Sequence, residues 1–415
     1  MSAASESQLA CRFCGAALRT SFADLGETPL ANSYLDNADP GTPDPRFPLH
    51  ARVCDGCFLV QVEDVVPAEE IFSDYAYFSS FSTSWVAHAQ AYTQMATKRF
   101  GLDASSSVIE VASNDGYLLQ HFVKAGIPVL GIEPAANVAK TAEANGVPTR
   151  AKFFGLSLAT SLRDEGTRAD LLLGNNVLAH VPDLNDFVAG LAHLLSDDGV
   201  LTMEFPHLAR LIEDAQFDTI YHEHFSYFSL LVVEQVFARH GLRLFDVEEL
   251  PTHGGSLRIF ASRSDGTARA EQPGLAKVRR DEAAMELGKI ESYAGFQARV
   301  EAIRDGLLSF LAEARADGKT VAAYGAAAKG NTLLNYCGVD ASGIDFVADV
   351  SDRKQGKFLP GSRIPIVAPA RLRDTQPDFV LILPWNLTHE ITTAHDYIGE
   401  WGGRFVVAVP ELTVL

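Results

Sequence analysis

The stretch Ser107 to Leu119, SVIEVASNDGYLL, constrains this chain more than any other. Val108, Ile109 and Val111 read as a buried strand, Ser113-Asn114-Asp115-Gly116 as a tight turn, and Tyr117, Leu118 and Leu119 as the first turn of a helix. A strand that feeds a helix through such a turn commits the chain to an α/β sheet and aims backbone N–H groups at a ligand. About twenty residues further on, Val129-Leu130-Gly131-Ile132-Glu133 is a second apolar run ending in an acid, followed by Pro134. A carboxylate at that place accepts both ribose hydroxyls, so the two segments together read as an adenosine site.

Electrostatics selects the cofactor. A dinucleotide presents a pyrophosphate to the turn, whereas S-adenosylmethionine presents a sulfonium and an ammonium group. Glu110 at the strand end and Asp115 in the turn are negative where a pyrophosphate would sit, and they suit the cation. The G-x-G-x-x-G pattern is absent: Ser113 and Asn114 replace glycines, and only Gly116 remains. Asn tolerates the left-handed backbone that such a turn needs.

A chain of 415 residues has room for two or three domains, and 47% hydrophobic with 21% charged residues is a globular composition. The net charge of −19 argues against a nucleic-acid surface and against anionic membranes. With no signal-peptide pattern and no apolar run of bilayer length, the expectation is a cytoplasmic enzyme. The sequence leaves the oligomeric state open, a monomer included.

Four of the five cysteines fall in two C-x-x-C knuckles, Cys11/Cys14 and Cys54/Cys57. Each knuckle turns two thiolates toward one ion, and four thiolates close a tetrahedral structural zinc shell. Disulfides suit neither the spacing nor a reducing compartment. Prolines and glycines between Gly26 and Pro48 make this a small loop-rich module held by its metal.

After a short strand in FLVQVEDVV and a helix start at Pro67 to Phe72, the aromatic stretch Asp74 to Trp85 follows. Its Tyr75, Tyr77 and Phe78 form either a lid over the cofactor cation or an ordinary packed linker. A helix over 86–100 leads into the cofactor strand. The strand Ala169 to Leu178 has a polar end, so Asn175, Asn176 and His180 belong to the crevice that Glu110 and Glu133 line. A helix over 184–195, a turn at Asp198-Gly199 and the strand GVLTMEF continue the alternation. The densest chemical cluster follows at 218–228, with Tyr221, His222, Glu223 and His224 set among aromatics where burial tunes acids and bases. A helical turn there puts Tyr221 and His224 on one face; a strand pairs His222 with His224. H-x-H is also half of a metal site, but no third ligand stands nearby in sequence. The segments GLRLFDVEEL and SLRIFASR, the second entered through His253-Gly254-Gly255, fit two antiparallel strands ending the sheet.

Gly274 to Ala316 reads as a long helical connector, after which TVAAYG, IDFVADV, DFVLILP and RFVVAVP build a second doubly wound sheet. Its first turn carries Lys329 and Asn331 but lacks the G-K-[ST] order of a nucleotide-hydrolysing loop. Its second carries Arg353, Lys354 and Lys357; with Lys329 these cations can neutralise a pyrophosphate, or form a solvated loop. The expected organisation is α/β throughout: a zinc-binding module over 1–70, a doubly wound S-adenosylmethionine domain over 71–270, and a Rossmann-like domain with a leading helix over 271–415.

These motifs in one chain, CRFC and CDGC, VIEVASNDGYLL, GIEP at 131–134, YHEHFSYFS at 221–229, HGGSLR at 253–258 and YGAAAKGNTLLN at 324–335, resemble the sugar C-methyltransferases of the nucleotide-deoxyhexose family. The resemblance implies a class I methyltransferase-like central domain. It also implies methylation, from S-adenosylmethionine, at C-3 of a dTDP-linked 3-amino-4-keto-2,3,6-trideoxyhexose in antibiotic biosynthesis of the D-tetronitrose type. The proton at C-3 is acidified by the neighbouring ketone, so its removal gives an enolate. The family's base maps to His224, with Glu223 as orienting partner, Tyr221 near the oxyanion, and His180 and Tyr75 lining the cleft; the resemblance does not fix which group moves the proton. Lys329, Asn331 and the Arg353–Lys357 turn are expected to hold the dTDP group, with Tyr77 beside the substrate. Competing readings are an O- or N-methyltransferase on a small metabolite, an NAD-dependent sugar-nucleotide oxidoreductase, and a zinc-built scaffold protein.

Overall fold

The computed structural model describes residues 9–37, 44–67 and 78–415. Tyr75 and Tyr77 lie outside the described residues, as does nearly all of the helix start expected at 67–72. The described residues form three sheets.

The middle sheet has seven strands. Their spatial order is Leu242–Leu250, Ser256–Arg263, Leu195–Pro206, Ala169–Asn175, Val108–Val111, Val129–Ile132, Thr149–Arg150. Numbered along the chain this is 6-7-5-4-1-2-3, with only strand 7 running against its neighbours. That is the expected doubly wound sheet with its terminal antiparallel pair. The Val108–Val111 strand is buried at all four positions because helices cover both faces, so it reads as a continuous apolar run interrupted only by Glu110. The helix Thr83–Phe100 leads into it. Ser82 caps that helix by accepting a hydrogen bond from the Trp85 N–H (3.2 Å), and Gly101 ends it at φ +66°.

The C-terminal sheet orders Ile366–Val367, Val347–Ala348, Val321–Tyr324, Phe379–Ile382 and Arg404–Val407 in parallel, with Thr413–Val414 antiparallel at the edge. The N-terminal sheet is antiparallel: Thr20–Thr28, Phe47–Val53, Val60–Val62, and then Ser226–Tyr227, which arrives from between the middle sheet's strands Leu195–Pro206 and Leu242–Leu250. Val60 pairs with Tyr227 and Gln61 with Ser226. The N-terminal module therefore has no core of its own. One apolar cluster joins Phe22, Leu49 and Val53 to the helix Phe296–Ala316 and the C-terminal sheet, with Phe22 stacked on Phe296 at 4.3 Å. A second joins Cys11, Cys54, Cys57 and Leu59 to the middle sheet.

Three local expectations are corrected. The helix after the cofactor turn starts at Leu119, not Tyr117, because the left-handed backbone at Asn114 and Gly116 prolongs the turn. Asp198-Gly199 is not a turn ahead of the strand: the strand Leu195–Pro206 already runs through it, with a register shift against Ala169–Leu171. The connector is two helices, Pro273–Ala284 and Phe296–Ala316, broken where Glu286 and Gly295 take positive φ. No helix among the described residues is long and apolar enough to cross a membrane.

Candidate active site

The two knuckles converge. Cys11 Sγ lies 3.6 Å from Cys57 Sγ and Cys14 Sγ 3.5 Å from Cys54 Sγ, and all four sulfurs fall within 4.8 Å of one another. A tetrahedral zinc with Zn–S bonds of about 2.3 Å separates its sulfurs by about 3.8 Å, so the cluster fits that ion and leaves no open position. Gln61 Nε2 donates to Cys11 Sγ (3.2 Å), and Arg12 of the first knuckle donates to the carbonyl of Val62 on the N-terminal sheet (2.6 Å) and to that of Pro182, in the loop before the helix Leu184–Leu194 (2.9 Å).

At the carboxyl end of Val108–Val111, the turn has the expected geometry. Asn114 sits at φ +49° and Gly116 at φ +79°. A Cβ on Gly116 would lie 2.9 Å from Val147 Cγ2. Glu133 Oε2 accepts the Asn114 N–H (3.0 Å) and Oε1 the Ala135 N–H (2.9 Å), while burial pushes its carboxyl up to about 7. Glu110 is 1% exposed; burial, then Asp115 and Glu133, hold its pKa well above the carboxylate range. Glu110 Oε2, Ser113 Oγ and Asp115 Oδ1 are buried without a hydrogen-bond partner among the described residues. Three buried acids and these orphaned acceptors fit a cationic ligand rather than a pyrophosphate. Asn114 Oδ1 and Asp115 Oδ2 accept the backbone N–H groups of Ser79 (2.8 Å) and Ser80 (3.2 Å), fastening the Ser79–Phe81 turn beside the pocket. Phe78 packs on Ala135 and Val138, next to half-buried Pro134. Tyr117 is buried under Trp85 and its hydroxyl lies 3.5 Å from Asn175 Nδ2.

The 218–228 segment is linked to that turn through Trp85, which stacks on Tyr117 and packs on His253, a residue whose field reaches His224. Tyr221 to His224 form a turn, closed by the His224 N–H on the Tyr221 carbonyl (2.9 Å), so Tyr221 and His224 share a face. Tyr221 Oη is 2.8 Å from His224 Nε2, and His224 Nδ1 is 2.9 Å from the Thr219 carbonyl. A carbonyl only accepts, so Nδ1 carries the proton and Nε2 presents its lone pair to the phenol. Burial, then the neighbouring His180, hold His224 well below the usual imidazole range. The two rings meet edge to face at 4.7 Å, and His180 bonds the Glu223 backbone carbonyl. His222 points away, 3.1 Å from the Pro48 carbonyl, which dissolves the H-x-H metal reading. Glu223 is buried, with Oε1 accepting a 2.6 Å hydrogen bond from Asn32 Nδ2 of the zinc module; burial raises it to about 7.

The C-terminal cations are not one cluster. Lys329 Nζ reaches into the cleft, bonded to Asn386 Oδ1 (2.8 Å), 4.6 Å from the Trp385 ring centre and within the field of buried Asp218. Lys354 Nζ bonds the Ala326 carbonyl (2.8 Å) beside it. Arg353 instead lies over Phe78 (4.3 Å) and Lys357 pairs with Asp36 (3.1 Å). Asn331 is internal, donating to the Ala31 carbonyl (2.6 Å). The structure adds residues that sequence reading passed over: Asn32, Asp218, Trp385, and a group at the sheet end made of Trp85, His88, Glu204, His253 and Arg258. Asp218 stood in the quoted cluster and His253 in the quoted HGG, but nothing in spacing assigned either a partner.

Known proteins resemble this one, NovU over nearly its whole length and others over the methyltransferase part. A family model for the C-methyltransferase C-terminal domain matches residues 251–410 and a methyltransferase domain model residues 85–247. One described as "Putative zinc binding domain" matches residues 11–72. C-methyltransferase NovU of Streptomyces niveus is 36% identical over 405 residues, 98% of this chain and 96% of that protein. The ubiquinone biosynthesis O-methyltransferase of Bartonella quintana (strain Toulouse) is 25% identical over 95 residues, 23% of this chain and 38% of that one. Among solved structures, magnesium protoporphyrin IX methyltransferase (ChlM) from Synechocystis PCC 6803 with bound SAM is 16% identical, covering 47% of this chain and 89% of its own, with a TM-score of 0.34. Identity at the level of NovU across nearly all of both chains shows that this protein belongs to the C-methyltransferase family, as an S-adenosylmethionine-dependent enzyme.

Proposed function

We propose that the enzyme methylates C-3 of a dTDP-linked 3-amino-4-keto-2,3,6-trideoxyhexose, in the cytoplasm, during assembly of a D-tetronitrose-type antibiotic sugar. The observation that carries this reading is the buried His224, held well below the usual imidazole range, with its Nε2 lone pair against the Tyr221 hydroxyl at 2.8 Å. A ketone-adjacent carbon acid needs such a base, kept unprotonated near neutral pH. The Tyr221–His224 pair takes the C-3 proton, ending as imidazolium and phenol, while the electron pair of the C–H bond moves toward the C-4 oxygen. Held by the acid-lined turn, S-adenosylmethionine would supply an electrophilic methyl carbon to that electron pair, its sulfonium becoming a neutral thioether. Glu110 and Asp115 balance the cofactor's cationic part and Glu133 accepts its ribose hydroxyls; Ser113, Asn114, Gly116, Tyr117, Pro134, Asn175 and Asn176 shape its pocket.

Glu223, anchored by Asn32, orients the cluster, and His180 fixes the Glu223 backbone. In this reading Lys329 and Lys354 receive the diphosphate at the N-terminus of the helix Ala328–Cys337. The three units are the zinc-binding module (1–70), the methyltransferase domain (71–270) and the nucleotide-sugar domain (271–415). The test is mass spectrometry of the keto-sugar nucleotide incubated with the protein and S-adenosylmethionine. A product one methyl heavier, with the methyl on C-3, supports the reading. Methyl on oxygen or nitrogen, or no transfer despite cofactor binding, sinks it.

A further inference from the structure

We propose that His253 is a catalytic residue whose Nδ1–H hydrogen-bonds the substrate's ketone oxygen and holds the negative charge that gathers there on deprotonation. The inference rests on the reading that the substrate is a ketone methylated at the neighbouring carbon.

Position is the first argument. Ser256 pairs with Pro206, so the 252–255 turn stands at the carboxyl end of the parallel strands, where ligands of such sheets bind. The backbone there is forced: His253, Gly254 and Gly255 have φ of +55°, +89° and +116°. A Cβ on Gly254 would lie 2.4 Å from the Trp385 ring, so the turn is pinned between the middle and C-terminal sheets. Glycine or asparagine would occupy residue 253 with less strain, yet an imidazole stands there; strain of this kind collects at sites of function.

The ring is also aimed. Asn176 Nδ2 lies 2.8 Å from His253 Nε2, and Asn176 is itself held at φ +54° with its N–H on the Glu204 carbonyl (2.7 Å). Trp85 packs edge to face on the ring at 5.2 Å and stacks on Tyr117 of the cofactor turn. With Asn176 as donor, Nε2 is the acceptor and Nδ1 bears the hydrogen. No described residue bonds Nδ1.

Electrostatics then fits an anion. Burial, then Lys329, hold His253 down to about 4, and Lys329 also acts on His224. The nearby carboxylate, Glu204, is already matched by Arg258 (2.6 Å), His88 (2.9 Å) and Thr252 (2.9 Å). His224 offers a lone pair and His253 an N–H, two neutral imidazoles with opposite faces, which is the division between base and electrophile that enolate chemistry requires.

The test follows exchange of the C-3 proton with deuterium from solvent. It uses the zinc-loaded enzyme, the keto-sugar nucleotide, and S-adenosylhomocysteine in place of the methyl donor. His253→Ala is expected to slow exchange and methyl transfer together by about 100- to 1000-fold, with S-adenosylhomocysteine affinity within about twofold of wild type. His253→Asn tolerates the left-handed backbone and retains an N–H; it is expected to fold as wild type and recover part of the exchange. Exchange at the wild-type rate in either folded variant, whatever happens to methyl transfer, overturns the proposal. If wild type itself neither exchanges nor methylates carbon, the functional reading fails and takes this inference with it.

Discussion

Replacing Asn32 by Ala removes the hydrogen bond to buried Glu223 without touching the 221–224 segment. Glu223 titrates near 7 instead of its ordinary 4.5 because burial disfavours the carboxylate, and Asn32 opposes that. A carboxyl whose folded pKa is raised binds its proton more tightly in the native state. The stability tied to it is therefore present at low pH and lost as pH climbs from about 4.5 through about 7, roughly 3 kcal/mol over that window. A hydrogen bond to an ionised group is worth about 1.5–3 kcal/mol net and a neutral one about 0.5–1.5. Asn32→Ala should then cost roughly 1.5–3 kcal/mol near pH 8, where Glu223 is ionised, and about 1 kcal/mol near pH 6, where it is protonated. The same difference, about 0.5–2 kcal/mol, moves the Glu223 titration upward by about 0.4–1.5 pH units. Denaturant unfolding at both pH values gives the first quantity, and the rising limb of kcat/KM against pH gives the second. Glu133, near 7, and Asp218, near 6, titrate in the same range, but both are intact in variant and wild type, so the difference isolates Glu223. Equal losses at the two pH values together with an unmoved limb would refute the reasoning.

Three further outcomes follow from the geometry. His224→Asn should lose about 100- to 10,000-fold in kcat while binding S-adenosylhomocysteine as wild type, which isothermal titration calorimetry checks; a matching loss of affinity would mean that His224 serves the pocket instead. Gly116→Ala forces a side chain into the left-handed turn against Val147, and should cost about 1–3 kcal/mol and weaken S-adenosylhomocysteine binding in the same measurements. Chelating the zinc should abolish methyl transfer and loosen the cleft, because Val60 and Gln61 hold Ser226 and Tyr227 through the sheet; hydrogen exchange of the 226–227 amides should rise when metal is removed.

Periodicity made the sheets legible: apolar runs such as VIEV, ADLLLGN and FVLI are buried on both faces and have no other use. The thiolate cluster and the cofactor turn were legible because each is local, its ligands brought together by a few residues of chain. What escaped is non-local. Asn32 sits in a proline-rich loop with no periodic signal, and its partner Glu223 is 191 residues away. The Ser226–Tyr227 strand is two residues long and exists only because the zinc module's edge accepts it. Asn331 looked like a phosphate ligand beside Lys329. One residue along a helix rotates the side chain by about 100°, and two residues carry it from the cleft to the Ala31 carbonyl.

The role of the zinc module follows from these same contacts. Its four sulfurs fill a tetrahedral shell, which fits a structural rather than a chemical role for the metal. Yet its loop supplies Asn32 to Glu223, its strand start supplies the Pro48 carbonyl to His222, and its edge strand takes up the segment after His224. The 221–227 segment is thus braced at three points by the metal-binding module, while Trp385 of the C-terminal domain donates to Asp218 and Lys329 lies against the Trp385 ring. No single module contains a complete cleft. A truncated methyltransferase domain, even one that folded and bound cofactor, would present His224 without the groups that fix its partner and its field.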